Sequence, residues 1–219
     1  MTVKQVRDVI KRANQLHTID LHGPNTDVLL RENSELLNKL QGLNYSYTWA
    51  CRANVDRFLI KQCLELVRGN MMKLYNESKF CGGWNDRSKL QILSANSNFY
   101  FLIIDSTDCL VGFICYRFIA IHECQPITPV CYIFEIQLRS DCCGNGVGQL
   151  LIKLAQKVAN KYKLSKVMCT CIKSNTRALN FYYKCGFTAD ASDPDTCYKT
   201  IGSQGPVTVG EACYKILKL

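Results

Sequence analysis

Glu135 stands inside an otherwise apolar run, Ile133-Phe134-Glu135-Ile136. A carboxylate among such residues costs free energy unless it is paired or put to chemical use. Burial disfavours its charged form and raises its pKa toward the range in which a general base operates. The alternative is a structural glutamate held in a salt bridge. Shortly after it, Cys143-Gly144-Asn145-Gly146-Val147-Gly148 leads into a helical pattern. Glycines there remove side chains from the backbone amides and permit positive φ. Amides gathered at a helix N-terminus, where the macrodipole favours an anion, suit a pyrophosphate. Glycine spacing alone is also compatible with a plain turn.

Three kinds of phosphate site can be weighed. An ATP-type loop ends in Gly-Lys-Ser/Thr, whereas this one continues Gly148-Gln149-Leu150. A dinucleotide fingerprint requires alternating strands and helices, but three antiparallel-looking strands precede the loop. An acyl-CoA site remains.

The elements that position these residues follow from hydrophobic period. Val3, Val6, Val9 and Ile10, then Val28, Leu29, Leu36, Leu37 and Leu40, recur at three and four residues, which predicts a helical extension over residues 1–42, broken at His22-Gly23-Pro24-Asn25. Alternation over residues 44–49 predicts a strand, followed by a helix from Asp56, its N-cap, to about Asn76. Strands are expected over Phe99–Ile104, Leu110–Ile121 and Val130–Leu138, the first two joined by the polar turn Asp105-Ser106-Thr107-Asp108. Val147, Leu150, Leu151, Leu154, Val158 and Ala159 mark an amphipathic helix ending near Lys163. A strand over Val167–Ile172, a helix over Asn175–Lys184 stopped by Gly186, and closing strands at Phe187 and Cys213–Leu217 complete the order.

With 219 residues, 47% of them hydrophobic, the chain can build one substantial core. Its start lacks an apolar h-region, so the reading expects cytoplasm and nucleus rather than export, and no membrane span. Fourteen cysteines in such a chain are expected as free thiols. No Cys-x-x-Cys pair points to zinc, so no metal is expected, and Cys169 and Cys171 read as small apolar residues on one strand face. The net charge of +9 is spread at helical spacing, as in Lys153, Lys157 and Lys161, which excludes direct nucleic-acid binding from the leading readings and suits a cofactor carrying phosphates.

The loop, together with Asn175-Thr176-Arg177-Ala178-Leu179-Asn180-Phe181-Tyr182-Tyr183-Lys184-Cys185-Gly186-Phe187, resembles the GCN5-related N-acetyltransferase (GNAT) family. That family's loop reads Gln/Arg-x-x-Gly-x-Gly/Ala and its later motif Asn-x-x-Ala-x-x-x-Tyr-x-x-x-Gly-Phe. Cys143 occupies the usual Gln/Arg position. Within the family, the chain is similar to the NatD group of histone N-alpha-acetyltransferases over Met72–Ser78, Trp84–Arg87, Tyr132–Leu138, Lys166–Thr170 and Cys213–Leu217. The resemblance covers roughly residues 42–219, which sets a GNAT acetyltransferase domain over residues 43–219.

What the resemblance implies is an α/β (α+β) fold: a central mixed, mostly antiparallel sheet, splayed at the cofactor site and flanked by helices. It implies a monomer using acetyl-CoA and no metal. Glu135 matches the catalytic base. Backbone groups of Ile136, Gln137 and Leu138 would hold the pantetheine arm, and those of Gly144, Asn145, Gly146, Val147, Gly148 and Gln149 the pyrophosphate. Asn175 would bond the cofactor. A bulge after the splay would let Phe134 and Glu135 both reach the cleft, which strict alternation forbids. Tyr182 fits the position that protonates the departing thiolate in many relatives, with an ordinary packed aromatic as the alternative.

The acceptor positions implied are Tyr75, Glu123, Tyr132, Phe134, Thr170 and Tyr214. Phe134 replaces a tyrosine of the group, Phe80 replaces a tryptophan, and Ile121 stands where an acid would meet the substrate's arginine. Protein N-termini, and specifically histone tails beginning Ser-Gly-Arg-Gly, are the expected partners. The competing readings are an acetyltransferase for another N-terminus or a small amine, and a non-catalytic CoA-binding scaffold. The amides of Gly144 to Gln149 are expected to compensate for Cys143. Cys143→Arg should then change the acetyl-CoA dissociation constant, measured by calorimetry, by less than about threefold; a large gain would mean that the native loop binds weakly.

Overall fold

The computed structural model describes residues 1–22, 26–122, 127–196 and 212–219. Three helices come first, α1 (Val3–His22), α2 (Thr26–Glu32) and α3 (Ser34–Gly42). Then follow β1 (Ser46–Cys51), α4 (Arg57–Ser78), α5 (Asp86–Leu93), β2 (Phe99–Ile104), β3 (Leu110–His122) and β4 (Ile127–Leu138). The last elements are α6 (Val147–Lys161), β5 (Val167–Ile172), α7 (Thr176–Lys184), β6 (Thr188–Ala189) and β7 (Tyr214–Lys218). No helix among the described residues is long and apolar enough to cross a membrane.

The strands form one seven-stranded sheet in the order β1-β2-β3-β4-β5-β7-β6. Every neighbouring pair is antiparallel except β4 and β5. This is the expected mixed, mostly antiparallel sheet. Period-two alternation divides its side chains between two cores. Phe99, Phe101 and Ile103 of β2 join α6 and the N-terminal helices on one face, while Tyr100 and Leu102 join α4 and α5 on the other. Both faces are therefore covered, which explains why β2 reads as a continuous apolar run rather than an alternating one.

Strands β2 and β5 run over the residues expected for them, and Asp56 caps α4 by accepting the backbone N-H of Phe58 at 2.5 Å. One helix departs from expectation. α5 was not legible as a helix because its buried positions, four residues apart, are Lys89 and Leu93. A lysine on the inward face erases the apolar period. Asn85 starts this helix by accepting the N-H of Ser88 at 2.8 Å.

The helices of residues 3–42 share the first core through Ala13, Leu21, Leu36 and Leu40. His17, fully buried on α1, lies between two tyrosine hydroxyls: Nδ1 is 3.0 Å from Tyr162 and Nε2 is 2.7 Å from Tyr116. Tyr162 donates its own proton to Asp20 at 2.7 Å, so Nδ1 must be the imidazole donor and Nε2 the acceptor. Tyr116 also accepts from Trp49 Nε1 at 2.9 Å, which ties α1, β1, β3 and α6 together.

Burial lowers the pKa of His17 from 6.5 to about 3, with Asp20 opposing. The unfolded chain therefore takes up this proton first as pH falls. The contribution of neutral His17 is fully present above about pH 6.5 and declines by about 1.4 kcal/mol per pH unit down to about pH 3. In urea titrations between about pH 6 and pH 4, His17→Gln should lose the equivalent of about one proton from the pH slope of unfolding free energy; a slope equal to that of the parent contradicts the assignment.

Candidate active site

β4 reaches the site through a break in two ladders. On its β3 side, Cys115 pairs with Glu135 and Tyr116 with Ile133, so Phe134 has no partner and forms a bulge. The extra residue turns Tyr132, Phe134 and Glu135 toward one cleft, where regular alternation would separate the last two. On its β5 side, pairing covers only Cys131, Ile133 and the residue between them, against Val167 to Cys169. Beyond that point the strands part. Gly112 on β3 helps hold the far end of β4, since a Cβ there would fall 2.9 Å from the Gln137 carbonyl oxygen.

The split opens into a cavity of about 930 Å³. Its walls include Glu135, Ile136, Gln137 and Leu138 from β4, the glycine loop at Gly144, Gly146, Gly148 and Gln149, and Asn175 and Tyr182 around α7. The acceptor candidates Tyr75, Tyr132, Phe134 and Thr170 line the same space.

Glu135 is buried, but burial is only half of its situation. Its Oε1 accepts from Lys89 Nζ at 2.6 Å and its Oε2 from Gln137 Nε2 at 2.9 Å. Gln137 in turn accepts from Asn70 of α4 at 3.0 Å, and Asn70 also donates to the Leu138 carbonyl at 3.1 Å. The expected carboxylate thus has an ionic partner that sequence reasoning missed. Lys89 is 5% exposed and donates to the Tyr75 hydroxyl at 2.8 Å. Its ammonium lies 4.7 Å from the centre of the Tyr75 ring and 5.9 Å from that of Trp84, within the range of cation–π attraction. Burial opposes the Lys89 charge, but Glu135 outweighs it and, with the Tyr75 hydroxyl, holds the pKa above the ordinary lysine value. The one sequence signal for Lys89 was its place four residues before Leu93, just beyond Trp84–Arg87.

The glycine loop fits a pyrophosphate. Gly144 and Gly146 adopt φ of 84° and 81°, and a Cβ on either would meet nothing within 4 Å. Gly146 begins α6 without any side-chain cap, which leaves the amides of the helix's first turn for an incoming anion. Arg177 and Lys184 line the same cavity and add positive charge. Cys143 turns its thiol to the Arg139 carbonyl at 3.5 Å, and Arg139 is engaged with Asp141 and Asp105.

Val147 is 2% exposed and points into the core, which leaves its backbone, the part expected to serve the pyrophosphate, at the start of α6. Asn145 is exposed and outside the cavity wall. The Asn175 side-chain Oδ1 caps α7 by accepting the Ala178 N-H at 3.1 Å, and its amide NH₂ donates to the Met71 sulfur at 3.8 Å. Tyr214 is also outside the wall and packs edge-on behind Phe80 at 5.5 Å. Glu123 lies outside the described residues. Tyr182 is almost fully buried against Phe181 and Phe187, and burial, with Cys169, Cys171 and Glu135 nearby, pushes its pKa well above the usual phenol value.

The acceptor end is aromatic. Tyr75 packs edge-on against Phe80 at 5.2 Å and Trp84 at 5.5 Å, while Tyr132 and Phe134 lie 5.1 Å apart. Phe80 stands on a strained segment, with Lys79 and Cys81 both in the left-handed region at φ of 55° and 53°. Trp84 is held by Asn76 at its backbone N-H and by Asp86 at its indole N-H.

The Acetyltransferase (GNAT) family model matches residues 69–187. Among solved structures, an acetyltransferase of the GNAT family from Staphylococcus aureus Mu50 is 12% identical, with 80% of this chain and 97% of that chain covered at a TM-score of 0.53. Naa50 of Arabidopsis thaliana, in complex with the bisubstrate analogue CoA-Ac-MVNAL, is 17% identical, with 80% and 98% covered at a TM-score of 0.50. For nourseothricin acetyltransferase, at 20% identity and a TM-score of 0.41, the match covers 56% of this chain and 65% of that one. The family match runs from within α4 to the residue after Gly186, across the divided strands and the glycine loop alike, and the chain belongs to the GNAT family of acetyltransferases.

Proposed function

We propose that this protein transfers the acetyl group of acetyl-CoA to the free α-amine of a protein N-terminus, with Glu135 as the base. The observation that carries this reading is the position of Glu135: buried in the wall of one cavity, between the loop that suits a pyrophosphate and an aromatic end that suits a peptide. The same fold in Naa50 accommodates an analogue that joins CoA to a peptide.

When bound, acetyl-CoA supplies an acyl carbon activated as a thioester. The first-turn amides of α6 hold the pyrophosphate. Backbone groups of Ile136, Gln137 and Leu138, freed where β4 leaves β5, bond the pantetheine arm and polarise the thioester carbonyl, an arrangement worth about a hundredfold to a thousandfold in rate. The acceptor nitrogen forms the new N–C bond as the C–S bond breaks. Its proton passes to Glu135, and the sulfur departs as the thiolate, with Tyr182 in the cavity wall as the secondary candidate for protonating it.

The specific acceptor implied by the NatD resemblance is a histone tail beginning Ser-Gly-Arg-Gly, and the location proposed with it is cytoplasm and nucleus. Tyr75, Tyr132 and Thr170 in the cavity wall support that reading. Of the positions that the resemblance assigns to the substrate's arginine, Ile121 is apolar and Glu123 keeps the acid.

Incubation with acetyl-CoA and a Ser-Gly-Arg-Gly peptide, free or blocked at its amine, tests the reading through CoA release. Release with the free peptide alone supports it; equal release with small amines redirects it, and none with any amine contradicts it. Glu135→Gln should lower kcat by at least about a hundredfold while acetyl-CoA binding, measured by calorimetry, stays nearly unchanged. Normal turnover in that variant would remove Glu135 from the chemistry.

A further inference from the structure

Lys89 meets Glu135 on the surface that an acceptor amine must reach. An amine arriving as an ammonium ion would find no unpaired carboxylate there, because Oε1 already accepts from Lys89 and Oε2 from Gln137. Because Lys89 and Glu135 together carry no net charge, nothing there would offset the cost of taking an ammonium ion out of water into a cavity walled in part by Tyr75, Trp84 and Phe134. A neutral amine meets neither obstacle, and its lone pair is the form that attacks a thioester.

We propose that Lys89 is a specificity-determining residue that admits the acceptor only as the uncharged amine, and so selects N-terminal α-amines over lysine side chains. This rests on the acetyl-transfer reading above. Free α-amines titrate near about 8 and lysine amines near about 10.4, so rejection of the charged form favours the α-amine by about 250-fold at neutral pH. Without Lys89, the Glu135 carboxylate would anchor any ammonium ion, and that selection would be lost.

The other ionisable groups around the pair stay in one state over the relevant range. From α4, burial raises the pKa of Tyr75 and pushes that of Cys63 well above the usual thiol value. From β3, burial takes Cys115 up to about 12, and Arg117 is a permanent cation. From α7, Tyr182 is held protonated by burial. Cys81 is exposed at the cavity wall, and a change of acceptor distinguishes the amine from any group of the protein.

The test is the pH dependence of KM for the free Ser-Gly-Arg-Gly peptide on the wild-type protein, repeated with a peptide that starts with a more basic β-amine. KM should fall about tenfold per pH unit up to the ionisation of the amine and then level off. The levelling point should move up with the β-amine, as no titration in the protein would make it do. A KM that stays flat between about pH 6 and pH 8 means that the ammonium form binds, and overturns the proposal. In Lys89→Met the pH dependence should collapse and the preference for α-amines over lysine side chains should fall at least about tenfold; Lys89→Arg should keep both. An unchanged preference in Lys89→Met also overturns the proposal, while its failure to fold leaves the wild-type series decisive. Normal turnover in Glu135→Gln would remove the base assignment without altering what the wild-type KM series says about Lys89.

Discussion

The parallel ladder between β4 and β5 holds over three residue pairs and then stops. Everything the site can do depends on that break. A continuous ladder would spend the backbone groups of Ile136, Gln137 and Leu138 on β5 and leave no opening between the strands. The bulge at Phe134 belongs to the same distortion, because the extra residue twists β4 as it brings Tyr132, Phe134 and Glu135 to one side. Gly112 lets β4 stay close to β3 while it leaves β5. The rest of the sheet, with helices packed on both faces, supplies the rigidity against which the two strands remain apart.

Within the opening, the Lys89–Glu135 pair is an unusual use of stabilising energy. Taking both charges out of water costs several kcal/mol per ion, and an apolar replacement of similar volume often serves stability as well. The chain nevertheless supplies Tyr75, Gln137 and Asn70 to satisfy the pair and its neighbours. That investment fits the proposed reaction, in which the carboxylate is held in place and kept from cationic amines. The His17 network at the other side of the sheet shows the structural counterpart, a closed set of hydrogen bonds in which a neutral imidazole locks α1 onto β3 and α6.

Most elements were legible because apolar runs such as Phe99–Ile104 and Val167–Ile172 have few other ways to be buried, while the mostly antiparallel sheet followed from the resemblance. The glycine turn before α6 was legible because glycine spacing and a helix start act locally, and Glu135 stood out because it interrupts an apolar run. What stayed hidden was set by tertiary contact. Lys89 acquires its partner only where α5 meets β4, and by occupying the buried face it also concealed α5 itself. Tyr214, a substrate position by resemblance, packs its ring against Phe80, which stands between two left-handed residues that no hydrophobic pattern reports.

A crystal structure with an analogue joining CoA through an acetyl group to the α-nitrogen of a peptide would measure the central geometry directly. The nitrogen is expected within about 2.6 to 3.2 Å of the Glu135 carboxylate, or one water away, with the pantetheine arm between β4 and β5 and Lys89 still on Glu135. An arm lying outside that opening, or a nitrogen turned away from Glu135, would contradict the assignment of this cleft as the place of acetyl transfer.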